Sequence, residues 1–240
     1  MLAFDRSVRV HGADMLELDV HATKDGVLVV IHDATLERTT DGEGEVAARS
    51  WAEVERLDAG ARFSPDEGRS WPFRGQGLRV PRFDELLRAW PTMRLNVEVK
   101  ADAPGIETVV VELLRREGAV ERVCLGSEHD AFGERLLRAA PEVCAFYPRD
   151  ALTRAVMALK TGAPLPDEPY LVLDMPLDHL GMRLVDRALV EGARAAGRWV
   201  NVWTVDDPAD MRQLVADGVG GIMTDRPDLL RAVLSDSVRS

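Results

Sequence analysis

Apolar residues recur along this chain in two alternating rhythms. From about Arg94 onward, short runs with apolar residues in blocks or at every second place precede longer runs in which they stand three and four apart. "RLNVEVK" leads into "GIETVVVELLRREGA", "RVCLGS" into "AFGERLLRAA", and "EVCAFYP" into "DALTRAVMALKTG". "PYLVLDM" leads into "RLVDRALVEGARAAG", "WVNVWTV" into "DPADMRQLVADG", and "VGGIMTD" into "RPDLLRAVLSD". A period of two marks a strand and a period of 3.6 a helix. Six strand-then-helix units in series predict a parallel sheet with right-handed crossovers. A series of this length closes readily into an α/β, TIM-barrel-like (β/α)₈ fold. Neither G-x-G-x-x-G nor a Walker A sequence occurs, which lowers the Rossmann and P-loop alternatives.

The first third reads differently. "DMLELDV", Asp14 to Val20, is a seventh strand candidate, and a short helix is expected before it, around Phe4 to Val10. "GVLVVIH" cannot be the next parallel strand, because only six residues separate Val20 from Val27. A parallel crossover needs about a dozen or more. The "KDG" turn predicts a hairpin instead. An inserted region over about 33–93 follows, rich in Gly, Arg, Trp and acidic residues, with one helix near "RFDELLRAW". We therefore expect one barrel domain over 1–240 carrying that insertion. Its parallel strands number seven, so the barrel is either open or completed by chain before Met1.

Composition narrows the partners. The chain has 240 residues, 46% hydrophobic and 30% charged, and a formal net charge of −11. That sign argues against a binder of nucleic-acid backbones. No stretch offers the roughly 18 apolar residues of a membrane span. No basic n-region with an apolar run marks an export signal, so a cytoplasmic location is the expectation if the N-terminus is complete. Cys124 and Cys144 stand in apolar runs without metal-like spacing, which favours buried free thiols over a disulfide.

The candidate chemistry lies at strand ends, where barrels place function. Glu17 and Asp19 are two apart and so share a face of the first strand. Asn96, Glu98 and Lys100 share a face of the next. Glu17, Asp19 and Glu98 can thus meet inside the barrel, with Lys100 near the mouth. Three carboxylates cannot share a buried site unpaired, since desolvation and repulsion force protonation. Either basic side chains pair with them, or a divalent metal ion does. An all-oxygen set favours Ca²⁺ or Mg²⁺ over Zn²⁺. His32, at the end of a β-branched run and followed by Asp33, is the best proton-transfer candidate of five histidines. His11, His21, His129 and His179 read as helix-end, turn or loop residues without a direct role. Trp203, inside "VNVWTVDD", either packs against substrate carbons at the mouth or fills the core.

These residues carry a resemblance. "GADMLELDVHATKDGVLVVIHDATLERTTDGEGEV", with "LNVEVK", "VNVWTVDD" and "GIMTDRP" in order behind it, resembles the signature of the glycerophosphodiester phosphodiesterase family over nearly the whole chain. The resemblance implies a (β/α)₈ barrel with an insertion after the first hairpin. It also implies hydrolysis of small-molecule glycerophosphodiesters to glycerol 3-phosphate and an alcohol with a divalent metal, often Ca²⁺ or Mg²⁺. By position, Glu17, Asp19 and Glu98 match the family's metal ligands. His32 matches one of its two catalytic histidines and Lys100 a phosphate-contacting lysine.

The family pattern begins with a strand ending in His-Arg-Gly and a loop with Glu-Asn-Thr, and neither occurs here. The expected first strand and second catalytic histidine would fall before Met1; His21 is the least unsuited replacement. Two readings follow: an enzyme of this family, or a pseudoenzyme that binds a metal or phosphodiester without turnover. A phospholipase D-like toxin scaffold is weaker, because Cys124 and Cys144 lie away from the catalytic histidine. A phosphate-binding isomerase barrel leaves the carboxylate trio unexplained.

Overall fold

In the computed structural model, which describes residues 1–100 and 103–237, the chain starts with a short helix, α1 (Leu2–Asp5), that widens over Arg6–Val10. Phe4 packs edge-on against Trp90, ring centroids 6.2 Å apart. Strand β1 (Met15–Ala22) follows and turns back into β2 (Leu28–Val30), antiparallel, with Val20 opposite Val30. The Thr23 hydroxyl donates to Asp25 Oδ1 at 2.6 Å and accepts the Val27 N–H at 3.0 Å. Gly26 supplies the φ of +78° that this turn needs and that side chains disfavour. The hairpin expected at "KDG" is present.

The insertion carries little regular structure. Helix α2 (Trp51–Val54) has a capping box formed by Ser50 and Glu53, and α3 (Phe83–Ala89) is the helix expected near "RFDELLRAW". A small apolar cluster of Val29, Ile31, Leu36, Val46, Val54 and Val80 holds the insertion to the hairpin.

The six strand-then-helix units then appear in order. They are β3 (Arg94–Val99) with α4 (Ile106–Arg116), β4 (Val123–Gly126) with α5 (Asp130–Ala139), and β5 (Cys144–Ala145) with α6 (Arg149–Thr161). Strand β6 (Val172–Pro176) is followed by a small hairpin, β7 (Asp178–His179) and β8 (Met182–Arg183), before α7 (Arg187–Ala195). Then come β9 (Trp199–Trp203) with α8 (Pro208–Asp217), and β10 (Gly221–Ile222) with α9 (Pro227–Ser237). The pattern "RLVDRALVEG" predicted helix from Arg183, but the helix starts four residues later. Asp186 stops it from starting sooner, its side chain accepting the Leu189 N–H at 2.9 Å as an N-cap.

The strands form one sheet in the order β2-β1-β3-β4-β5 and another in the order β10-β9-β6. A parallel bridge between Phe146 and Val172 joins them. Among the described residues no ladder links β10 to β1, so the seven parallel strands make an open ring. Alternation sorts its faces. Leu16, Leu18, Val20, Leu95, Val97 and Val99 point outward and are buried with residues of α3, α4 and α5. The intervening residues point inward in register: Glu17 beside Asn96, Asn96 beside Cys124, Cys124 beside Cys144. One step toward the mouth, Asp19 lies beside Glu98 and Glu98 beside Gly126. Phe146 fills the interior there, and a Cβ on Gly126 would stand 2.6 Å from its ring.

Candidate active site

Parallel register brings the sequence-marked acids together. Asp19 and Glu98 are direct neighbours across β1 and β3, and Lys100 continues the same face. The Lys100 Nζ lies 3.2 Å from Asp19 Oδ1 and 3.2 Å from Glu98 Oε2, so one ammonium bridges both carboxylates. Burial opposes the charge on Lys100, but Glu98 and Asp19 outweigh it and hold the amine above its ordinary range.

Glu17 sits one layer deeper and, among the described residues, has no such ion-pair partner. The surrounding protein pushes its carboxyl up to about 8, and the negative charges of Asp19, Asp174 and Glu98 act in the same direction against Lys100. Glu17 is nonetheless an exposed residue. Desolvation is the larger cause and the like-charge crowding the second. Among the described residues, no three acidic, histidine or cysteine side chains are gathered as a metal ion requires. The Lys100 ammonium instead lies between Asp19 and Glu98. In donor type and surplus negative charge, Glu17, Asp19 and Glu98 suit a hard divalent cation.

His32 stands at the rim, 62% exposed, with Nδ1 2.7 Å from Asp33 Oδ1. Arg38 grips the same carboxylate twice, Nε to Oδ2 at 2.5 Å and Nη2 to Oδ1 at 2.9 Å. The Arg38 bonds, aided by His32 and opposed by burial, hold Asp33 down at about 2. An ionised Asp33 can only accept, so His32 Nδ1 donates and Nε2 is left free of that bond.

His21 is not a turn residue but the third inward position of β1 after Glu17 and Asp19. It is buried, and its Nε2 lies 3.1 Å from the His32 carbonyl oxygen, which makes that nitrogen the donor. Burial lowers its pKa despite that bond, which disfavours the charged form. His21, His32, Glu98, Lys100, Glu128 and His129 line one cleft of about 180 Å³. The sequence had singled out three of these six. His21 enters the sequence reading only as a stand-in for the second catalytic histidine, and Glu128 and His129, just past the end of β4, join the cleft only once strands are aligned.

Beneath the cleft, Asp174 was also missed, although an acid inside "LVLDM" is the kind of signal that marked Glu17. Asn96 Nδ2 donates to its Oδ2 at 2.6 Å, and Asn201 Nδ2 donates to its Oδ1 at 2.8 Å. Burial pushes the Asp174 carboxyl up to about 6 against those two bonds. Trp203 shares the inward face of β9 with Asn201 but remains 45% exposed at the strand end, away from the cleft lining.

The chain is similar to known proteins over nearly its whole length. The sequence profile of the glycerophosphoryl diester phosphodiesterase family matches residues 1–229. The chain is 35% identical to a probable glycerophosphodiester phosphodiesterase 2 of Mycobacterium tuberculosis, over 98% of this chain and 84% of that protein. It is 34% identical to a glycerophosphodiester phosphodiesterase of Caldanaerobacter subterraneus, over 95% of this chain and 88% of that one. A crystal structure of a glycerophosphodiester phosphodiesterase from Agrobacterium tumefaciens superposes with a TM-score of 0.73 at 30% identity, covering 95% of this chain and 90% of that chain.

Proposed function

This chain belongs to the glycerophosphoryl diester phosphodiesterase family, and on that premise we propose that it hydrolyses glycerophosphodiesters to glycerol 3-phosphate and an alcohol with a divalent cation, Ca²⁺ or Mg²⁺. The observation that carries the reading is the register of β1 and β3, which sets Asp19 and Glu98 side by side next to Lys100 and below His32. Cleaving a phosphodiester requires neutralising charge on the phosphoryl oxygens and moving protons to and from the attacking and leaving oxygens. The Lys100 ammonium, on the cleft wall, is the chain's own counter-charge for the phosphoryl group. His32 Nε2 takes or gives the proton, and Asp33 stabilises the imidazolium that results. Asp33 stays anionic because Arg38 holds it so, which keeps the ring oriented through the cycle. Glu17, Asp19 and Glu98 would hold the cation, which supplies further charge neutralisation at the phosphate. His21 and the Asn96–Asp174–Asn201 set brace this face from beneath. The glycerophosphodiester itself is a small ligand reaching the cleft from the mouth, and Trp203, outside the cleft lining at the end of β9, would contact only an alcohol portion that extends beyond the cleft.

Release of glycerol 3-phosphate from sn-glycero-3-phosphocholine, followed with Ca²⁺ or Mg²⁺ added and after chelation, tests this. Turnover that chelation abolishes and cation restores is the expected result. Turnover indifferent to chelation removes the cation from the reading. Saturable binding of the diester without turnover replaces hydrolysis by a binding-only role.

A further inference from the structure

Cys124 and Cys144 face one another across neighbouring parallel strands. They are direct register partners of β4 and β5, and their Sγ atoms are 3.5 Å apart, close enough to share a thiol–thiol hydrogen bond. Both are free thiols. The two differ in reach. Cys124 is 5% exposed, enclosed with Phe146 and Val172, whereas Cys144 is half-buried and lines a cavity of about 680 Å³ on the opposite side from the catalytic cleft. That cavity is walled by Val120, Leu137, Pro141 and Leu171, residues next to the starts of the strands.

We propose that Cys124 and Cys144 are an oxidisable dithiol, in which Cys144 reacts with a hydroperoxide arriving through this cavity and Cys124 resolves the product into a disulfide tying β4 to β5. Geometry permits the bond. Paired strands run about 4.8 Å apart, within the range of roughly 4.4–6.8 Å over which disulfides span α-carbons. The chemistry has two steps. The Cys144 thiolate attacks one oxygen of hydrogen peroxide; the O–O bond breaks, the other oxygen leaves as water with the thiol's proton, and Cys144 becomes a sulfenic acid. Cys124 sulfur then attacks Cys144 sulfur, the S–O bond breaks, and the hydroxyl departs as water with the Cys124 proton. Two thiols lose two electrons, and one peroxide becomes two waters.

The order of attack follows from the surroundings. The bond shared with Cys124 holds the Cys144 thiol below its ordinary value, while that bond and burial push Cys124 well above its own. The less buried cysteine is therefore the one that ionises more readily, and reactivity resides in the thiolate. The other sulfur, 3.5 Å away on the more deeply buried cysteine, is shielded from solvent but adjacent to a sulfenic acid on its neighbour. Neither cysteine belongs to the proposed catalytic groups, and the inference stands whether or not the chain hydrolyses a diester.

The test exposes the folded protein to hydrogen peroxide, quenches it by alkylation in denaturant, and reads peptides by mass spectrometry. Wild type should lose two hydrogens, with both cysteines protected in one cross-linked species that dithiothreitol reopens. Cys124→Ser should accumulate a sulfenic acid at Cys144 that dimedone traps, and Cys144→Ser should leave Cys124 alkylatable. Circular dichroism before oxidation establishes that each serine variant is folded. Both thiols remaining alkylatable in wild type overturns the proposal. So does a disulfide formed only between two chains, or sulfenic acid appearing first at Cys124.

Discussion

His32, Asp33 and Arg38 form a chain in which each group fixes the next, and this ordering dictates what single substitutions do. Removing a positioned proton-transfer group costs roughly 10²–10⁴ in rate. His32→Ala should lower kcat by that range while leaving the melting temperature nearly unmoved, because the side chain is mostly exposed. Steady-state kinetics beside a thermal melt check it, and wild-type kcat in the variant would remove His32 from the reaction. Asp33 adds a pH signature. Its folded pKa, about 2, lies below its ordinary 3.8, so its stabilising contribution is complete above 3.8 and disappears as pH falls toward 2. Arg38 is 61% exposed, so solvent screening limits that contribution to on the order of 1 kcal/mol or less. Between pH 4 and 2, wild type should therefore lose more stability than Asp33→Asn does in denaturant titrations. Parallel losses in the two proteins would mean that the Arg38 contacts do not order Asp33 in solution.

The small hairpin after β6 shows an element that the pattern of apolar residues hid. Leu180 and Gly181 link β7 to β8, both with positive φ, +50° and +76°. Two positive φ values in a two-residue link describe a turn that Asn-Gly suits and leucine does not. Leu180 is also 86% exposed, so burial does not offset the strain. Leu180→Asn should raise the midpoint of urea unfolding, with a gain of about 0.5–1 kcal/mol. A lowered midpoint would show that Leu180 makes contacts that outweigh its backbone cost. The helices were far more legible. Apolar residues three and four apart located α4, α5, α6, α8 and α9 to within a few residues, because each lays one stripe on the sheet. Where α7 starts was misread, because an N-cap aspartate and a tight turn occupy residues whose spacing also suits a helix.

At the scale of the whole molecule, an open ring of strands has two apolar layers outside and a mixed interior. One outer layer joins β1, β3 and β4 to α3, α4 and α5, and the other joins β6 and β9 to α7 and α8. The interior is held differently. Asp174 of β6 accepts amides from Asn96 of β3 and Asn201 of β9, so polar bonds cross between the sheets. Phe146 fills the space above Cys124, and Gly126 gives way to it. Gly126→Ala would put a methyl 2.6 Å from that buried ring, and overpacking of this kind costs about 1–3 kcal/mol. Chemical denaturation should register that loss. A variant as stable as wild type would show that the ring yields freely.

The sequence by itself determined the alternation of strands and helices, the first hairpin, and the face shared by Glu17 and Asp19. Those are local matters, set by a period of two or 3.6 and by turn residues that admit unusual φ values. It also put Glu17, Asp19, Glu98, Lys100 and His32 forward, and their neighbourhood proved real for Asp19, Glu98, Lys100 and His32. Only the tertiary structure decided which partners those groups meet. Register between β1 and β3 set Asp19 against Glu98, strand ends brought His21, Glu128 and His129 to the same cleft, and a parallel ladder placed Cys124 on Cys144. Each of these contacts joins residues far apart along the chain. Pairing across that distance is fixed by how strands align and twist around a common interior, which no single stretch of sequence contains.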